Sequence, residues 1–191
     1  MMARTSTMKS SLKGGFVLNI QRGRNRGFSL VELLIAVAIG MVLMALAIPV
    51  LQNAMRNYSL NSAASNVSRI VQLARYTAIR QGSNACTVLD GTIFGIDADC
   101  DGARDANQQS YALPSGIALD SAGPDPTGMN YSTAPTPVDP PFAMTFNSRG
   151  STDVAPTASL VYLTGWGNSA AVTISGAGRA RNWRYTGDTW Y

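Results

Sequence analysis

The sequence predicts an α+β protein in which one long N-terminal helix, half membrane-embedded and half amphipathic, packs on an antiparallel β-sheet domain. Three observations predict it. Residues 28–51 form an apolar run whose single charge is Glu32. A stripe of small and aliphatic residues at three- and four-residue spacing follows, as far as Gly82. Beyond Gly82 the pattern changes to short β-type segments separated by Gly, Pro, Asn and Asp.

The apolar run holds 24 residues, Phe28 to Leu51. At about 1.5 Å per residue it makes roughly 36 Å of helix, against about 30 Å for the hydrocarbon core of a bilayer. Residues 1–27 carry Arg4, Lys9, Lys13, Arg22, Arg24 and Arg26 and no acid, the charge pattern of a cytoplasmic flank. A carboxylate near one end of a membrane segment is costly, so Glu32 needs a partner.

The second half of the helix is read from Leu60, Ala63, Ala64, Val67, Ile70, Val71, Ala74 and Ala78. Asn61, Ser65, Asn66, Arg69 and Gln72 fall mostly elsewhere on the wheel, which leaves one apolar stripe for a sheet. The stripe is rich in Ala and lacks sustained heptads, unlike a coiled-coil stalk. Gly82 is placed to end the helix. Residues 28–81 then make one helix of about 80 Å with a bend near Pro49.

Strands are predicted at 86–89, 92–96, 110–113, 143–146, 159–163, 170–174 and 179–185. Asp90-Gly91 between the first two is a two-residue hairpin signal, and that register sets Cys86 opposite Gly95. Residues 123–141 contain six prolines and read as an exposed excursion outside the core.

Charge and composition narrow the function classes. The chain has 15 basic and 11 acidic residues. Without residues 1–27 the balance is 9 against 11, a net charge of −2, so most of the basicity belongs to the N-terminal segment. Histidine is absent, which excludes His-based triads, HExxH metal sites and imidazole acid–base catalysis. Glu32 is the only glutamate, so Asp is the only carboxylate beyond the apolar run. No enzyme activity and no cofactor are expected.

The junction itself is more specific. Gly27, then Phe28-Ser29-Leu30-Val31-Glu32-Leu33-Leu34, with Pro49 farther along, resembles the class III leader of type IV pilins and of the pseudopilins of type II secretion. The resemblance implies that a prepilin peptidase cuts between Gly27 and Phe28 and methylates the new amino terminus. It also implies that Glu32 neutralises the Phe28 amine of a neighbouring subunit in a fibre. An ordinary secretory signal loses its apolar region, whereas this cut retains it. The expected divisions are a removed leader at 1–27, a transmembrane and fibre-core helix at 28–51, an amphipathic helix at 52–82 and a β-rich domain at 83–191.

The order of long helix, hairpin and further strands is similar to the GspH/FimT group of minor pilins and minor pseudopilins. Phe146 with Gly150, Gly178-Arg179 and the acidic turn after the hairpin support that likeness. It implies a pilin-like fold, a single-pass inner-membrane protein with its C-terminal domain in the periplasm, and later a place in a pilus or pseudopilus. The implied partners are the prepilin peptidase, other major and minor pilins or pseudopilins, and the membrane.

Three features remain. Cys86 and Cys100 are the only cysteines, and export to an oxidising compartment favours a disulfide over two buried thiols. Asp97-Ala98-Asp99-Cys100-Asp101-Gly102 opens like a calcium loop, but Gln108 at the twelfth position cannot give a bidentate carboxylate. A solvated turn without metal is the expectation. Residues 178–185 hold Arg179, Arg181 and Arg184 beside Trp183 and Tyr185, the densest positive cluster after residue 27. In a strand, Arg179, Arg181 and Trp183 share a face, and the two guanidiniums lie about 7 Å apart, near the phosphate spacing of DNA. Gly-Arg-x-Arg also resembles the terminal motif of FimT-like pilins linked to DNA uptake. Double-stranded DNA is the partner on that reading, and a solvated edge strand is the alternative. The sequence therefore favours a FimT-like minor pilin in pilus assembly or at the tip, with a GspH-like minor pseudopilin of type II secretion as the alternative.

Overall fold

The structure is a computed structural model and describes residues 28–131, 133–152 and 158–191. Gly27 and the rest of the expected leader lie outside the described residues. The described residues divide into two units, with the boundary between Met44 and Ala45.

The described part of the first unit is helix from Leu30 onward, the beginning of α1 (Leu30–Gln81). Its large apolar side chains, among them Leu33, Leu34, Met41 and Leu43, are exposed. By length and composition this helix can cross a membrane.

In the second unit α1 buries Leu60, Ala63, Ala64, Val67, Ile70, Val71, Ala74, Thr77 and Ala78. The eight residues of the predicted stripe are all among them. Gly82, with φ +65°, follows the last helical residue and accepts a left-handed backbone that a side chain would oppose.

Nine strands follow among the described residues. A four-stranded antiparallel sheet has the order β3 (Ser110–Ala112), β2 (Ile93–Asp97), β1 (Ala85–Asp90), β6 (Thr145–Phe146). A second sheet has the order β4 (Ala118–Asp120), β7 (Ser159–Gly165), β8 (Asn168–Ile174), β9 (Ala180–Arg184). Here β5 (Thr136–Pro137) pairs with β7 in parallel. The helix thus packs on two sheets where one was expected. Its stripe shares a core with Ala85, Phe94, Ile96 and Phe146 of the first sheet and Val161, Leu163, Ala170, Val172 and Ile174 of the second.

The β1–β2 hairpin differs from expectation. Asp90 pairs with Ile93, so Gly91 and Thr92 form the turn and Cys86 lies opposite Asp97, not Gly95. The shift sets Leu89 opposite Phe94 in place of Thr92, matching two apolar side chains across the strands. Both registers keep the same residues on the same face, so the apolar pattern alone does not separate them.

The proline-rich stretch is mostly exposed, as expected, but it is anchored through buried Met129 and Pro135. Met129 is fully buried in a second core with Leu160, Tyr162, Ala171, Trp183 and Trp190. The Tyr162 hydroxyl donates to the Pro124 carbonyl (2.8 Å) and the Trp190 indole N–H to that of Asp125 (2.9 Å). Met129 and Tyr131 cover the second sheet on the side away from α1, while Val138 packs against the core shared with α1. The physical reason is two-sided burial: strand alternation sends Val161 and Leu163 toward the helix and Leu160 and Tyr162 the other way.

Candidate functional site

Phe28 is the first described residue and is 82 % exposed. The first turn of α1 carries Glu32, and Leu33 N–H donates to the Ser29 carbonyl (3.1 Å), so the helix starts directly behind the expected cut. From Phe28 to Leu51 no side chain is buried, and Glu32 is the one charge in that stretch. An isolated helix of this kind in water leaves its whole apolar surface unsatisfied, so its natural surroundings are lipid or other such helices.

The cysteines are joined. Cys86 and Cys100 form a disulfide with Cα atoms 5.2 Å apart. The observed hairpin register explains the closure: Cys86 faces Asp97, three residues before Cys100. The loop then turns on Asp97, whose carboxylate accepts from the N–H groups of Asp101 (3.2 Å) and Gly102 (2.8 Å). Cys100 itself has φ +59°.

Asp97, Asp99 and Asp105 bring carboxylate oxygens within 4.8 Å of one another. Asp105 lies outside the Asp97–Gly102 run and arrives because the chain returns, with its carboxylate accepting from Ala98 N–H (2.8 Å). Two of the three acids are therefore occupied in holding the loop's main chain. The Asp99 carboxyl is raised from its ordinary value, first by the hydrogen bond with Asp97 and then by the charge of Asp101.

The C-terminal arginines do not form one patch. Arg179 precedes β9, in the tight turn where Gly178 N–H donates to the Ser175 carbonyl (2.7 Å). Arg179 and Arg181 are exposed. Arg181 lies over Trp183, its guanidinium carbon 4.1 Å from the ring centroid. Trp183 is buried and donates its indole N–H to Thr173 Oγ1 (2.8 Å), so its faces are not open for stacking with a base. Arg184 points to the opposite side of the strand, because three residues separate it from Arg181.

A family profile described as the prokaryotic N-terminal methylation motif matches residues 22–48. The N-terminal segment carries this methylation motif. It is the class III type of leader expected from Gly27, Phe28 and Glu32, and the motif's span ends at Ile48, inside α1. No curated protein matches the chain. Among solved structures, the type IV minor pilin FimU of Pseudomonas aeruginosa is 20 % identical, with 64 % of this chain and 91 % of that one covered and a TM-score of 0.46. The minor pseudopilin EpsH of the Vibrio cholerae type II secretion system is 17 % identical, with 66 % and 94 % covered and a TM-score of 0.42.

Proposed function

We propose that this chain is a minor pilin, a subunit of a type IV pilus that joins the fibre through its N-terminal helix. One observation carries the reading. The methylation motif, residues 22–48, runs into a helix that begins next to Phe28, and as far as Leu51 every side chain of that stretch is unburied and the one acid is Glu32. A prepilin peptidase would cut after Gly27 and leave the Phe28 amine methylated. The subunit would then sit in the inner membrane with residues 52–191 in the periplasm, where the Cys86–Cys100 disulfide is chemically at home. On assembly, Glu32 would meet the amine of a neighbouring Phe28, a pairing that offsets the cost of an acid among apolar helices.

The same helix serves a minor pseudopilin of type II secretion equally well, and that assignment is the second reading. The globular domain adds a further part to the proposal: contact with double-stranded DNA through Arg179, in the turn before β9, and Arg181 within it, both of which are exposed. Arg184, which faces the other way, is left out of that contact.

The test of the fibre reading is fractionation of sheared pili from cells carrying wild-type protein or Glu32→Ala. Wild type is expected in the sheared fraction, and the variant is expected to stay in membranes with its disulfide intact. Equal incorporation of both proteins would remove the charge pairing from the account.

A further inference from the structure

Helix α1 and strand β9 run in opposite directions along each other. Gln72 Nε2 donates to the Gly178 carbonyl (3.3 Å), Asn182 Nδ2 to Ser65 Oγ (3.4 Å), and Asn57 borders the same cavity as Arg184 and Tyr185. Arg179 and Arg184 therefore lie at opposite ends of β9. The Arg184 end is the one nearest the apolar run, since Asn57 follows Leu51 by six residues, about 9 Å of helix.

The cavity there measures about 320 Å³ and is polar, bordered by Asn57, Asn168, Ser169, Arg184, Tyr185 and Thr186. Arg184 is half-buried, and its side chain has no hydrogen bond or ion pair among the described residues. A partly desolvated guanidinium gains most from an anion that accepts two of its N–H groups at once. Asp188, the nearest acid in the chain, is exposed and makes no ion pair with it among the described residues. Arg56, beside Asn57, is exposed as well. At the same end, Trp166 forms the tip of the β7–β8 hairpin and is 41 % exposed, next to Gly167 on the cavity's border. Tryptophan and arginine are both residues that settle at the level of lipid headgroups.

We infer that Arg184 binds the phosphate of an anionic phospholipid headgroup, so that this end of the domain rests on the bilayer before the subunit joins a fibre. The inference depends on residues 28–51 being membrane-embedded. The distances agree: the headgroup layer adds roughly 5–8 Å to each side of the hydrocarbon core, within an arginine's reach of Asn57. Lipid is favoured over nucleic acid because the cavity adjoins the helix just beyond its apolar stretch.

The test uses the full-length protein in nanodiscs of phosphatidylglycerol or phosphatidylcholine that contain a headgroup-spin-labelled lipid. Trp183 and Trp190 are buried, so Trp166 supplies the quenchable fluorescence, with Trp166→Phe as the blank. Stronger quenching is expected in phosphatidylglycerol, with that preference falling about five-fold in Arg184→Gln and retained in Arg184→Lys. Equal quenching of wild type and Arg184→Gln, or no preference between the lipids, overturns the inference. Flotation with vesicles separates the two levels of the account. Protein that fails to float ends both the membrane reading and the inference, whereas protein that floats without the expected quenching ends the inference alone. An Arg184→Gln variant that loses affinity for a DNA duplex while keeping its lipid preference would assign the arginine to nucleic acid instead.

Discussion

Arg181 stacks its guanidinium on the indole of Trp183, 4.1 Å from ring centre to Cζ, and the indole is itself closed into the second core. The pairing fixes what this strand can offer to a partner. The charge faces solvent, and the ring does not. Any contact with nucleic acid here is to phosphate, without base stacking.

DNA binding through Arg179 and Arg181 should therefore be weak, independent of sequence and sensitive to salt. Two neutralised phosphates give a log–log salt slope near −1.8, so raising salt from about 50 to 200 mM should lower affinity roughly 12-fold. Fluorescence anisotropy of a labelled duplex with detergent-solubilised protein measures it. The Arg179→Gln/Arg181→Gln pair should flatten the slope, and equal affinity for wild type and the pair would leave these arginines as a solvated edge.

The disulfide closes a loop with a sequence separation of 14. In the chain-entropy account such a loop is worth about 3 kcal/mol. Cys100→Ser should lower the urea midpoint correspondingly under oxidising conditions, and wild type with reductant should match it. An unchanged midpoint in both would mean that the acidic turn is held by the Asp97 and Asp105 hydrogen bonds alone.

Gly178 is the most constrained turn position. Its φ is +72°, and a Cβ there would come within 2.2 Å of the Gly150 carbonyl oxygen. The neighbour is backbone, and Arg75 Nε already donates to that oxygen (2.9 Å), so it has little room to move away. Gly178→Ala should cost about 1–3 kcal/mol, read from the urea midpoint. A loss no larger than that at a surface alanine would show that the β8–β9 turn relaxes freely.

Much of this arrangement was legible in the residues. The helix stripe from Leu60 to Ala78 follows from spacing alone, and its eight members are buried. The hairpin was legible in place but not in register, because a two-residue shift leaves every side chain on its own face. The second core was missed for a different reason. Leu160 to Leu163 is a continuous apolar run, a sign of a strand covered on both sides, yet the cover comes from Met129 and Trp190, distant in sequence. Short β4 and β5 carried too few residues for a period to emerge. Strand alternation sets Arg184 on the opposite face from Arg181, a relation legible in the numbering alone. Asp105 joins Asp97 and Asp99 only because the loop folds back, a nonlocal event that spacing does not encode.

The fibre-subunit account stands most directly on the chemistry of one bond. Mass spectrometry of the N-terminal peptide from membrane-extracted protein, taken from cells with an active prepilin peptidase, reads that bond. The account predicts a chain that begins at Phe28 with a methylated amine and retains the apolar helix. A leader still attached to Phe28, or a cut beyond Leu51 that discards the helix, would contradict it.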